Sequence, residues 1–213
     1  MLEIIPGILE KTWEEAEKKI EMLSPFAKVM HIDLLDGKFA PNTTFLDPKP
    51  FKKYSKDIFF ELHMMVEEPV QYLKPFADAG FRRFLGHVEK MSDQAEFVAQ
   101  GQLLGEVGLA IDGKTTIDDI KVPYDDLDCL LVMTINAGFS GQQFMPKHLE
   151  KVKALRSKIQ NQFFPIEVDG GVNDLTIVQA KNAGANRFVA TSFLFGQENP
   201  QKQFQALSHR IAV

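Results

Sequence analysis

Cysteine is almost absent: Cys129 is the only one among 213 residues. A single thiol excludes an internal disulfide and any cysteine-built metal cluster. Its place in the apolar run Leu127–Ile135 reads as a small buried hydrophobe rather than a nucleophile. No segment approaches the roughly 18 uninterrupted apolar residues that a membrane span needs. The opening Met1-Leu2-Glu3-Ile4-Ile5 has neither a basic region nor a cleavable apolar core, so no signal peptide and a cytoplasmic location are expected. No excess of positive charge is present either. Lys and Arg number 24 against 29 Asp and Glu, a formal charge of −5, and the basic residues are scattered among acids. That excludes an extended nucleic-acid surface while leaving room for a local anion pocket. Finally, no Gly-x-Gly-x-x-Gly follows the first apolar run, which argues against a dinucleotide-binding sheet.

What is present is the composition of an ordinary globular protein, 45% hydrophobic and 25% charged. At this length a single domain over 1–213 is expected. Eight apolar runs recur: Leu2–Leu9, Ala27–Leu35, Ile58–Val66, Phe84–Val88, Gly105–Ile111, Leu127–Ile135, Phe164–Val168 and Arg187–Ala190. Most are nearly continuous in hydrophobicity, as strands covered on both faces must be. Helix signals separate them. Thr12-x-x-Glu15 is a capping box for the amphipathic Trp13–Leu23, Pro69 opens Val70–Ala79, and Pro146 opens Lys147–Ile159. Asn173 precedes Leu175–Asn182, and Pro200 opens the last helix. Eight strand-and-helix alternations permit an open doubly wound sheet or a closed (β/α)₈ TIM barrel, and the unit count and chain length favour the α/β barrel.

The polar residues on these strands are placed with a period of two. Val29, His31, Asp33 and Leu35 share one face of the second strand, opposite Met30, Ile32 and Leu34. Glu61, His63 and Met65 oppose Leu62, Met64 and Val66, and Glu167 and Asp169 oppose Ile166 and Val168. The apolar set should pack under helices and the polar set should point into the barrel. The fourth run ends in another polar pair, His87 and Glu89. Ionisable groups at the carboxyl ends of barrel strands lie where such barrels place chemistry. Two imidazoles and two carboxylates converging there suit a divalent ion, Zn²⁺, Fe²⁺, Mn²⁺ or Co²⁺. A hydrogen-bonded core histidine or a capping aspartate is the plainer explanation for any one of them alone. Asp169-Gly170-Gly171, after the seventh strand, and Thr191-Ser192, after the eighth, suit an anion pocket, although a simple turn explains the glycines as well. Asn136–Gln142 and Asp36–Asn42 read either as lid loops or as ordinary connections.

In order and spacing, these segments resemble the ribulose-phosphate 3-epimerases. The resemblance runs through His31-Ile-Asp33-Leu-Leu-Asp36-Gly37-Lys-Phe39-Ala-Pro41-Asn42, Leu62-His63-Met-Met65-Val66, His87-Val-Glu89, Val132–Gln142, Glu167–Asn173 and Gly184-Ala185-Asn186. It implies a barrel enzyme carrying one divalent metal on His31, Asp33, His63 and Asp169. Asp33 and Asp169 would also be the catalytic acid–base pair on opposite faces of a ketose 5-phosphate. Met65, Met133, Gly138, Gly141, Gly170, Gly171, Thr191 and Ser192 would contact substrate, and the chain would form a homo-oligomer. The partner implied is a small-molecule ketose phosphate, D-ribulose 5-phosphate or another such as a 6-phosphohexulose. A non-catalytic phosphosugar-binding barrel is a further reading. A decarboxylase of the related phosphate-binding barrels would need a strand-end lysine that the second and third strands lack. The chain departs from the family pattern at Gly7 (Ser in Pro-Ser-Ile-Leu), Leu35 (Met), Asp112–Thr116 (Asn-Pro-x-Thr-Pro), Ala137 (Pro) and Thr191 (Gly).

Overall fold

The computed structural model describes residues 2–212. Eight parallel strands close on themselves in chain order, each hydrogen-bonded to the next and β8 to β1. They are β1 Glu3–Ile8, β2 Val29–Leu35, β3 Phe59–Met65, β4 Phe81–His87, β5 Glu106–Ile111, β6 Cys129–Met133, β7 Ile166–Asp169 and β8 Arg187–Ala190. Among the described residues, seven α-helices surround them: α1 Trp13–Leu23, α2 Val70–Asp78, α3 Gln94–Gln102, α4 Leu149–Lys158, α5 Thr176–Ala183, α6 Ser192–Phe195 and α7 Pro200–Ala212. The chain is a (β/α)₈ TIM barrel.

The predicted capping box of α1 forms in part: Thr12 Oγ1 accepts from Glu15 N–H, and its hydroxyl donates to the Glu15 carboxylate. Asn173 Oδ1 accepts from the N–H groups of Leu175 and Thr176 and so starts α5. The alternation is less regular than expected. After β2 and after β5 there is no α-helix, only 3₁₀ turns at Lys49–Lys53, Ile117–Asp119 and Tyr124–Asp126. Pro41, Pro48, Pro50, Gly113 and Pro123 break those connections. Conversely, α3 lacks a strong apolar stripe, and its start is marked by Asp93, whose carboxylate accepts from Glu96 N–H. The first turn expected for α4 is a 3₁₀ turn at Pro146–His148.

The core has two layers, as the period-two pattern requires. Met30, Ile32, Leu34, Leu62, Met64, Ile166 and Val168 pack outward in one large cluster between barrel and helices. Phe51, Phe60, Phe76 and Phe81 meet there edge to face or stacked at 5.0–5.5 Å, with the Trp13 ring edge-on to Phe51 at 5.0 Å. The phenylalanines do not all serve this layer: Phe163 and Phe139 are exposed. The lumen holds Leu85, Ala110, Cys129, Leu131 and Met133 on one side. Burial pushes the Cys129 thiol well above its ordinary range, which fits an inert packing group. Beside this apolar wall runs a column of charge. Arg83 Nη1 donates to Glu61 Oε2 at 2.6 Å and Arg83 Nε donates to Glu106 Oε2 at 2.7 Å, while Arg187 Nε lies 3.4 Å from Glu3 Oε2. The column rises from the amino-terminal end of the barrel towards the carboxyl ends of the strands.

Candidate active site

At the top of that column, strand register brings the predicted residues together. His31 lies beside Glu61, and Asp33 beside His63, across the β2–β3 ladder. Met133 pairs with Asp169 across β6–β7. His31 Nε2 lies 3.3 Å from Asp33 Oδ1, and His63 Nδ1 lies 2.9 Å from the same oxygen and 3.6 Å from Asp169 Oδ2. One donor atom from each of His31, Asp33, His63 and Asp169 fits within 4.8 Å of the others. All four side chains are buried.

The histidines are oriented from behind. His31 Nδ1 donates to Glu61 Oε1 at 2.5 Å. Glu167 Oε1 is 3.4 Å from the same nitrogen, but that proton is already directed at Glu61, and both Glu167 oxygens are without a hydrogen bond. His31 Nε2 is then a buried nitrogen with no hydrogen-bond partner, facing the carboxylates. On the other imidazole, His63 Nε2 meets His87 Nε2 at 2.9 Å, and His87 Nδ1 meets Glu89 Oε2 at 2.9 Å. Glu89 in turn accepts from Asp112 N–H at 2.6 Å. The assignment consistent with this chain has His63 Nε2–H donating to His87 and His87 Nδ1–H donating to Glu89. It leaves His63 Nδ1 as a free lone pair aimed at Asp33 and Asp169.

Electrostatics separate the two aspartates. Burial alone would raise Asp33, but its close contacts with the His31 and His63 rings outweigh burial and bring it down to about 2. Asp169 lacks that compensation. Burial, reinforced by the Asp33 charge, pushes it up to about 8. Burial and the Glu61 charge likewise raise Glu167 to about 7. Burial lowers His63 to about 4, so its ring is neutral at neutral pH. Burial also disfavours charge on His31, yet Asp33, Glu167 and Glu61 hold it well above the usual imidazole value. One ionised and one protonated carboxyl group therefore flank the same point.

This cluster forms the floor of a cleft of about 400 Å³, solvent-open part included. Every residue expected to touch substrate lines it: Met65, Met133, Gly138, Gly141, Gly170, Gly171, Thr191 and Ser192, with Asp33 and Asp169 beneath. Gly170 and Gly171 both have positive φ, 113° and 67°. A Cβ on Gly171 would come within 2.8 Å of the Phe144 backbone nitrogen, so both conformation and space require glycine there. Thr134 secures this turn, its hydroxyl lying 2.9 Å from Asp169 O and 2.6 Å from Gly170 O. The two loops read as lids are tied to each other: Asn42 Nδ2 donates to Gly138 O at 2.7 Å in a buried contact. Gln142 Nε2 closes its own loop by donating to the carbonyls of Asn136 and Phe139.

The family model for the ribulose-phosphate 3 epimerase family matches residues 3–195. The chain belongs to the ribulose-phosphate 3-epimerase family. It is 35% identical to a ribulose-phosphate 3-epimerase of Schizosaccharomyces pombe, over 98% of this chain and 93% of that protein. With the Bacillus subtilis ribulose-phosphate 3-epimerase it shares 33% identity over 95% and 96%, so it is an isomerase. Among solved structures, it superposes on 3-keto-L-gulonate-6-phosphate decarboxylase of Vibrio cholerae with a TM-score of 0.74 at 14% identity, covering 100% of this chain and 98% of that one. It also superposes on a 3-hexulose-6-phosphate synthase of Salmonella typhimurium with a TM-score of 0.72 at 12% identity, covering 99% of each. These two likenesses are of fold.

Within this epimerase, four residues that frame the cluster were not assigned roles from the sequence. Glu61, His87 and Glu89 stood out only as inward polar residues, and Arg83 drew no notice. Their position on the same strand face as His31 and His63 was the available signal; the cross-strand pairing that gives it meaning needs register. His148 is a buried packing residue, with Nδ1 2.8 Å from Met133 O. The change from glycine at Thr191 places no residue in strain, since its φ is −116°.

Proposed function

We propose that this epimerase interconverts D-ribulose 5-phosphate and D-xylulose 5-phosphate in the cytoplasm, using one divalent ion and the carboxyl pair Asp33 and Asp169. The observation that carries the reading is the buried, partnerless His31 Nε2, which shares a 4.8 Å neighbourhood with His63, Asp33 and Asp169. A buried nitrogen without a hydrogen bond and several confined carboxyl groups are costly without a cation, and both imidazoles have their rear nitrogens anchored as metal ligands require. The residues present therefore fit the group. His31, Asp33, His63 and Asp169 would hold it, and nitrogen and oxygen donors of this kind accept Zn²⁺, Fe²⁺, Mn²⁺ or Co²⁺. When bound, a divalent ion supplies Lewis-acid stabilisation of the negative charge that develops beside the substrate carbonyl.

The protein's own groups account for the rest. Inversion at C3 needs two proton carriers, because a single base would return the proton to the face it left. The ionised aspartate takes the C3 proton on one face, the substrate becomes an enediolate, and the protonated aspartate delivers a proton to C3 from the other face. The two carboxyl groups exchange protonation states in each turnover, so the reverse reaction uses the same pair. Positioned carboxyl groups contribute about 10²–10⁴-fold to such a transfer. Met65 and Met133 provide an apolar wall beside the reacting carbons. Gly170 and Gly171 turn main chain towards the phosphate, with Ser192 beside them. Turnover measured side by side on D-ribulose 5-phosphate and a six-carbon ketulose 6-phosphate tests the assignment. A preference for the five-carbon substrate is expected, and a preference for the six-carbon one would move the function to a hexulose phosphate.

A further inference from the structure

Gly7 and Thr191 face each other where the barrel closes. A Cβ placed on Gly7 would stand 2.3 Å from Thr191 Oγ1, 3.5 Å from Thr191 Cβ and 3.0 Å from Val189 Cγ1. The Thr191 hydroxyl thus occupies the space that a side chain at position 7 would need. Gly7 is not among the positive-φ glycines, so its backbone does not require glycine; the neighbouring hydroxyl does. Thr191 is equally free of backbone constraint at φ −116°. The two residues depart together from the pattern described above, and the structure makes them one steric unit.

The Thr191 hydroxyl has no structural task at its own position. The Thr191 carbonyl accepts from the N–H groups of Leu194 and Phe195 at the start of α6, while its side chain makes no capping hydrogen bond. Its place along the cleft is fixed by register. Gly7 pairs with His31 across β1–β2, and Thr191, just past the end of β8 at Ala190, packs its hydroxyl over Gly7 and immediately precedes Ser192 in the lining of the cleft. It therefore stands between the carboxyl groups at the floor and the turn at Gly170 and Gly171. In a ketose 5-phosphate whose C3 lies at the carboxyl groups and whose phosphate lies at that turn, C4 is the one carbon between the reacting carbon and the phosphate-bearing C5.

We propose that Thr191 is a specificity-determining residue whose hydroxyl hydrogen-bonds the C4 hydroxyl of the substrate, and that position 7 is glycine to make room for it. The inference rests on the epimerase reading above. It differs from a phosphate contact in prediction: the Thr191 side chain recognises a sugar hydroxyl, and its removal affects ligands carrying that hydroxyl.

The test uses Thr191→Val, Thr191→Ser, Gly7→Ser, Thr191→Gly and the double variant Gly7→Ser/Thr191→Gly. Each is assayed for kcat and KM on D-ribulose 5-phosphate, for thermal midpoint, and for calorimetric binding of the unreactive ribitol 5-phosphate and of its 4-deoxy analogue, which keeps the phosphate and which Thr191→Val should bind as tightly as the parent does. Thr191→Val keeps the shape and loses the hydroxyl. It is expected to lose about tenfold in kcat/KM and in ribitol 5-phosphate affinity with an unchanged midpoint, while Thr191→Ser stays within about threefold of the parent. Gly7→Ser and Thr191→Gly alone are each expected to lose about tenfold or more, and the double variant to recover about tenfold over Gly7→Ser, because the serine then fills the vacated space. Parental kinetics and binding in Thr191→Val, or purely additive losses in the double variant, would overturn the proposal. If the glycine-position variants do not fold, the comparison of valine with serine at position 191 decides. A parent that binds ribitol 5-phosphate more tightly than Thr191→Val but does not turn over would refute the epimerase reading and keep the contact. A parent that turns over with no effect of Thr191→Val would do the reverse, and a parent that neither binds nor turns over refutes both.

Discussion

Replacing Glu61 by glutamine changes one atom and tests how the imidazole behind the cluster is held. Glu61 Oε1 accepts from His31 Nδ1 at 2.5 Å and Oε2 accepts from Arg83 Nη1 at 2.6 Å, all in the buried lumen. The carboxylate lies far below its usual range because hydrogen bonding from His31 and the Arg83 charge outweigh burial. An amide keeps one acceptor and turns the other into a donor. If its NH₂ faces His31, the imidazole must give up its Nδ1 proton to accept there, and its remaining proton sits on Nε2, the nitrogen aimed at the cluster. If it faces Arg83, a buried guanidinium loses a partner. Loss of such a rear contact costs about 10–100-fold in metal affinity, or about 1.4–2.7 kcal/mol. Breaking a buried ion pair costs about 3–5 kcal/mol of stability, and the low end is expected because Arg83 retains Glu106 at 2.7 Å. Competition with a chromophoric chelator reads the affinity, and urea unfolding of the metal-free protein reads the stability. Glu106 is 41% exposed, so Glu106→Gln should change neither by more than about 1 kcal/mol. A folded Glu61→Gln protein with parental metal affinity would refute the reasoning.

Stability of the metal-free protein should depend on pH through Asp169. Its carboxyl group is raised from 3.8 to about 8, so the folded state holds a proton that the unfolded chain releases. The stabilisation is fully present below 3.8 and is lost as pH rises through about 8. Urea midpoints taken across that window should fall, and Asp169→Asn should flatten the fall; an equal slope in both proteins would contradict this. Metal binding must displace that proton and the one held on His31, so affinity measured by chelator competition should rise with pH through about 8, and a pH-independent affinity would count against Asp169 as a ligand. Removing the ion by dialysis against a chelator should abolish turnover, and restoring it at 100 times its Kd should add about 2.7 kcal/mol to the unfolding free energy. Asn42→Ala breaks the buried tie to Gly138 O, and a cost of about 1–3 kcal/mol in urea unfolding is expected together with a raised KM from the loosened loop pair.

The strand faces were readable because the lumen and the outer layer demand opposite polarity at alternate residues. Met30, Ile32 and Leu34 pack outward, and His31 and Asp33 point inward, as that alternation predicts. The spacing of His31 with Asp33, together with His63 and Asp169 at strand ends, was enough to anticipate a common site. The helices were harder. Proline-broken connections after β2 and β5 carry no α-helix although a regular barrel would place one there, and α3 hides behind a weak apolar stripe despite its Asp93 cap. The supporting network was out of reach for a different reason. Whether Glu61 meets His31, or Gly7 meets Thr191, depends on pairing between strands distant in sequence, and pairing register is a property of the closed barrel. Local sequence specifies which face a residue takes; only closure specifies its neighbour.

The most direct measurement is solvent isotope exchange at C3. The metal-loaded protein is incubated with D-ribulose 5-phosphate in D₂O and the sugar is followed by NMR, with Asp33→Asn and Asp169→Asn alongside. The account predicts deuterium at C3 of both epimers with the parent protein, loss of epimerisation in each variant, and no exchange in the metal-free protein. Epimerisation that persists at parental rate in either aspartate variant, or that proceeds without the ion, would contradict it.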